Sequence, residues 1–103
     1  MLLAGALVAG CAKPAPEISP AEAQQLRSQA LIDSGNASFR SGDFANAAKR
    51  YASATVVKPD DPAAFYGLGM ALAKLGRDDD ARIAYAKARA MAGRRTGPGI
   101  PGH

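Results

Sequence analysis

The sequence says much the same thing twice, 34 residues apart, and that period restricts its fold more than any other feature. The stretch GNASFRSGDFANAAKRYASA, from Gly35, aligns without a gap on GMALAKLGRDDDARIAYAKA, from Gly69. Gly35 falls on Gly69, Ala37 on Ala71, Arg40 on Lys74 and Gly42 on Gly76. Ala47 then falls on Ala81, Tyr51 on Tyr85, Ala52 on Ala86 and Ala54 on Ala88. Such a chain builds one supersecondary unit twice and buries the apolar face of each copy by stacking it on the other. Inside the copies the apolar spacing is helical. Phe44, Ala47, Ala48, Tyr51, Ala54 and Thr55 form one stripe, and Ala81, Ala84, Tyr85, Ala88 and Met91 form its counterpart.

Punctuation divides the repeats into helices. Ser19-Pro20-Ala21-Glu22 is a capping box with proline in the first turn, so a long first helix runs from Pro20 to about Ser41. Gly42-Asp43 turns the chain into a second helix, Phe44 to about Val57. Asp61-Pro62 caps and opens a third, ending near Leu75 before Gly76. Asp78, Asp79 and Asp80 open a fourth, expected to stop at Gly93. The fold class is therefore all-α, a short α-solenoid of two helix-turn-helix repeats with an extended first helix.

Period and residue types together resemble the tetratricopeptide repeat (TPR) family over about Ser28 to Ala92. Gly35 and Gly69 look like the family's small residue at the crossing of the two helices, and Ala47 and Ala81 like the small residue opposite. Tyr51 and Tyr85 resemble the aromatic of the second helix, Ala54 and Ala88 the small residue a turn later, and Pro59 the closing proline. The departures are Leu31 for the family tryptophan, Ser34 and Ser38 at apolar or aromatic places, and Gly93 for a second closing proline.

The resemblance implies a protein- or peptide-binding groove lined by the first helix of each repeat. Carried over by position, its lining is Ile32, Asn36, Phe39 and Arg40, then Tyr66, Met70 and Lys74. Some family members clamp acidic chain termini, but only Asn36 matches that clamp, while Ile32 and Gly67 stand where it needs polar groups. The expected groove is apolar with a basic edge and suits an apolar helix or strand. Ile32 and Phe39 have an alternative role, packing beneath the extension of the first helix.

The first eleven residues, MLLAGALVAGC, pose a separate question. Met1 to Gly10 carries no charge and is too short to span a bilayer, which takes about 20 helical residues. Val8-Ala9-Gly10-Cys11 is similar to the lipobox of bacterial lipoproteins, which implies cleavage before Cys11 and acylation of its thiol and amine. Against the usual signal pattern, no basic residue precedes the apolar run, so either translation starts upstream or the run is no signal. The expected organisation is a signal peptide at 1–10, a lipidated cysteine and proline-rich tether at 11–19, a TPR domain at 20–93 and a disordered tail at 94–103. Ala12, not aspartate, follows the cysteine, and in the resembled lipoproteins this allows sorting to the outer membrane, facing the periplasm in a diderm.

Composition argues against several functions. A net charge of +4 with 21% charged residues is spread along every helix rather than gathered into a nucleic-acid-binding stripe. The only histidine is the terminal His103 and the only cysteine is Cys11, so no Cys-His or Ser-His pair is positioned by the domain. Gly67-Leu68-Gly69 lacks the third glycine and the preceding strand of a dinucleotide fingerprint. Asp78, Asp79 and Asp80 are consecutive on a helix and point apart, so they read as a charged first turn rather than a metal site. Neither catalysis nor a cofactor nor a metal is expected.

Finally, Ile83, Ala86 and Ala90 form an apolar strip on the far side of the fourth helix, where the family usually has a solvating helix. Repeat arrays usually need about three units and capped ends. The strip is therefore expected to meet a partner helix, with the chain monomeric until that partner binds. The functional expectation is a membrane-anchored, non-catalytic adaptor or assembly factor, in pilus or secretin assembly or envelope biogenesis. The alternatives are a self-associating structural module and an accessory subunit of a periplasmic enzyme complex.

Overall fold

A computed structural model describes residues 16–96. Four helices succeed one another: α1 (Pro20–Arg40), α2 (Phe44–Val57), α3 (Pro62–Lys74) and α4 (Asp78–Thr96). No strand occurs among the described residues. Cys11 with the apolar run before it, the first part of the tether, and residues 97–103 including His103 lie outside the described residues.

Each boundary has a local cause. Ser19 accepts from the Glu22 amide at 3.0 Å while Glu22 accepts from the Ser19 amide at 2.9 Å, closing the capping box at α1. Asp43 takes the Asn46 amide at 3.2 Å to open α2, and Asp61 takes the Ala63 amide at 3.0 Å to open α3. Gly42 and Gly76 reverse the chain between helices with φ of 83° and 80°, a region that favours glycine. In the first turn of α4, Asp79 pairs with Arg82 and Asp80 with Arg77, so two of the three aspartates are engaged locally.

The end of α4 corrects the expectation of a stop at Gly93. The helix continues to Thr96, which also moves the start of any tail beyond 94–96. Glycine inside a helix costs only about 1 kcal/mol and does not end it by itself. Arg94 adds a cation near the negative end of the helix dipole.

The helices pair in order, α1 on α2, α3 on α2, and α4 on α3. Ile32, Ala47, Tyr51, Ala54, Ala64 and Ala71 form the buried cluster, drawing on α1, α2 and α3. Small side chains let the backbones approach, and Tyr51 fills the space they leave. A Cβ on Gly35 would come within 2.8 Å of the Tyr51 ring, and one on Gly67 within 2.4 Å. Tyr51 is thus held between α1 and α3. Its hydroxyl donates to Asn36 Oδ1 at 2.5 Å, and burial pushes its phenol above the usual range, partly opposed by the charge of Arg40. The extension of α1 is fixed by Gln24, whose side-chain amide donates to the Val57 carbonyl at 2.6 Å.

Candidate functional site

The groove residues named from the sequence separate into two groups. Arg40 and Lys74 are exposed at the inner edge, and Lys74 Nζ sits 5.7 Å from the centre of the Phe44 ring. Phe39 is half-buried and meets Phe44 edge-on, with ring centres 5.0 Å apart. Asn36 and Met70 are half-buried, and Asn36 is already engaged by Tyr51. Ile32 departs from the expectation. It is 6% exposed and packs with Ala54 and Tyr51 of α2 and Ala64 of α3, so it is a core residue unavailable to a ligand.

Tyr66, by contrast, is 55% exposed. Tyr66 stands 34 residues after Ile32, at the same place in the second repeat. The difference comes from the neighbour stacked on each repeat. On the first, α3 covers the face made by α1 and α2. On the second, the face made by α3 and α4 has no helix over it among the described residues. It forms an apolar groove of about 270 Å³ lined by Pro62, Ala63, Tyr66, Ala88, Arg89 and Ala92. Counted back 34 residues, Pro62, Tyr66 and Ala88 become Ser28, Ile32 and Ala54, which are 0%, 6% and 0% exposed. Ile32 is thus core where Tyr66 is surface, whereas Ala88, 6% exposed, stays buried like Ala54.

Tyr85 repeats the contrast. Gly69 lies against its ring, where a Cβ would come within 2.7 Å, as Gly35 lies against Tyr51. Among the described residues no glycine takes on Tyr85 the place that Gly67 takes on Tyr51. The Tyr66 ring leans on Tyr85 instead, with centres 5.4 Å apart and a 51° tilt.

The strip Ile83, Ala86 and Ala90 is exposed, Ile83 by 58%. It is not the face that a third repeat's helix would cover. Lys49 and Val56, the counterparts of Ile83 and Ala90, remain exposed although α3 is seated on the first repeat. Ile83 instead borders a second shallow groove of about 230 Å³ with Phe65, Leu68 and Leu72. The strip expected from the sequence thus lies apart from the face that corresponds to the seat of α3 on the first repeat, which Tyr66, Ala88 and Ala92 line. Sequence reasoning missed Pro62, Ala63, Ala88, Arg89 and Ala92. The repeat offset points to Pro62 and Ala88, whose counterparts Ser28 and Ala54 are buried, but not to Ala63, whose counterpart Gln29 is exposed.

Two stacked helix pairs with small residues at each crossing are the geometry of a helical repeat. A family model for the tetratricopeptide repeat matches residues 32–96. The chain belongs to this family. A comparison with the curated proteins gives no match. TPR units generally mediate protein–protein interaction and are typically non-catalytic. Among the described residues no helix is long and apolar enough to cross a membrane, and no group of His, Cys, Asp or Glu side chains gathers as a metal site.

Proposed function

We propose that this TPR chain is a non-catalytic adaptor or assembly factor of the bacterial cell envelope, tethered through a lipidated Cys11 and binding a protein partner through the open face of its second repeat. The observation that carries the binding half is the pair Ile32 and Tyr66, equivalent in the repeat and 6% against 55% exposed. An aromatic ring left out of a core its counterpart belongs to marks a surface awaiting a cover. The LVAGC run and the proline-rich AKPAPEISP behind it support the tether. Pilus, secretin or other envelope assembly is the setting such a tethered adaptor suits.

Two measurements test this reading. Mass spectrometry of the native protein should give a chain beginning at an acylated Cys11, and Cys11→Ser should move the protein from membrane to soluble fractions. An intact Met1 with a free thiol would remove the anchor from the account. Capture of partners from detergent-solubilised envelopes should be lost with Tyr66→Lys and kept with Ile83→Lys. Capture indifferent to Tyr66→Lys would remove the binding face.

A further inference from the structure

We propose that the open face of the second repeat takes an amphipathic helix of another protein in the seat that α3 takes on the first repeat. That helix carries a glycine or alanine over Tyr85 and carboxylates at its N-terminal end, facing Arg89. This deepens the adaptor reading and rests on it.

The chain itself supplies the template for the occupant. On the first repeat, α3 lays Gly67 on the Tyr51 ring so closely that a Cβ would stand 2.4 Å away. It adds Ala64 and Ala71 to the buried cluster. Tyr85, with Gly69 against one side, presents the equivalent ring to an incoming helix. A large side chain at the central contact would hold that helix off, so the seat selects for a small one.

Charge sets the direction of that helix. α3 enters its seat behind Asp60 and Asp61, with Lys58 Nζ 2.9 Å from Asp60 Oδ1. The counterpart of Lys58 on the open face is Ala92, and the cation lining the groove there is Arg89. Arg89 is in no ion pair among the described residues. Carboxylates at the start of the docked helix would meet it and complement the helix dipole.

A second copy fits this seat poorly. Head-to-tail stacking would bring α1 of another molecule onto the face, with Asp33 at the position of Gly67. A charged side chain would then press on an aromatic ring where even a Cβ is too close. Pairing the face with itself would bring the Arg89 side chains of two molecules onto one apolar seat with no carboxylate to meet them. The GPGIPGH stretch after Thr96 is by composition a poor helix former.

The probe is a synthetic peptide with the sequence of residues 60–75, DDPAAFYGLGMALAKL, held helical by a covalent staple between positions 66 and 70. It is titrated into the full-length chain in detergent and followed by amide chemical shifts. Saturable shifts centred on Tyr66, Tyr85, Ala88 and Ala92 are expected. A peptide with Gly67→Leu should bind roughly tenfold more weakly or worse, and so should the original peptide with the Arg89→Glu chain. The melting temperature of the Arg89→Glu chain should stay unchanged, which separates lost binding from lost fold. Absence of shifts on this face, equal binding of the Gly67→Leu peptide, or a dimer of the chain alone that Tyr66→Lys dissolves would each overturn the proposal. Partner capture that still depends on Tyr66, with no peptide binding, overturns the helix while leaving the adaptor reading standing. Capture independent of Tyr66 defeats the adaptor reading itself.

Discussion

Gly67 on α3 lies against the ring of Tyr51 on α2 at a distance that leaves no room for a Cβ, which would sit 2.4 Å from the ring. This contact joins the first repeat to the second. Gly67→Ala should therefore destabilise the fold by about 1–3 kcal/mol through overpacking. Gly93, inside α4 with nothing within 4 Å of its missing Cβ, makes the opposite case. Gly93→Ala should stabilise by about 0.5–1 kcal/mol through helix propensity alone. Chemical denaturation of both variants checks the pair, and a shift of the same sign in each would contradict it.

Ser28 and Ala47 are both 0% exposed, yet substitution should act in opposite directions. The Ser28 hydroxyl has no hydrogen-bond partner among the described residues. Ser28→Ala removes a desolvated hydroxyl and adds helix propensity, so stability should rise by about 1 kcal/mol. Ala47→Leu forces a larger side chain between crossing helices and should lower stability by about 1–3 kcal/mol. Thermal melts distinguish the two; an unchanged midpoint for Ala47→Leu would mean the crossing is looser than its burial implies.

Tyr51 gives the fold an alkaline limit. Burial raises its phenol pKa in the folded state, against the lowering influence of Arg40. The fold therefore favours the neutral phenol. Its contribution is complete below the unfolded value of about 10 and is lost as pH rises through the higher folded value. Tyr51→Phe should flatten the fall of stability above pH 10 while losing about 0.5–1.5 kcal/mol at neutral pH with the bond to Asn36. Denaturant midpoints measured across that range test this, and an equally steep fall in the variant would assign the alkaline limit to other groups.

Much of the fold was legible because repeats, caps and turns are local signals. The offset of 34 paired Gly35 with Gly69 and Tyr51 with Tyr85, and both tyrosine rings meet the glycines at those helix crossings. Ser19, Asp61, Gly42 and Gly76 set boundaries through their own side chains or φ values. The end of α4 was not legible, because a single glycine is a weak stop when ordinary helix formers come after it. The binding face was half legible. A family position made Ile32 and Tyr66 equivalent, and the sequence could not say that one lies under a neighbouring helix while the other does not. Exposure depends on the next element in the stack, which is a property of the array rather than of the repeat. Ile83, Ala86 and Ala90 stood out as an apolar strip on the far side of α4, whereas Ala88 read as an inward-packing residue and Ala92 was too small to stand out.

The central claim is that the face around Tyr66 is where the chain meets its partner. The most direct measurement places a photo-crosslinking amino acid at position 66, and in parallel at 83 and at 40, in cells carrying the full-length protein. Adducts to another protein are expected from position 66, with far weaker ones from 83 and 40. Adducts concentrated at 40 would return the function to the inner groove, adducts at 83 would return it to the outer strip, and adducts from 66 to a second copy would make the chain a self-associating module. Any of these would contradict the account.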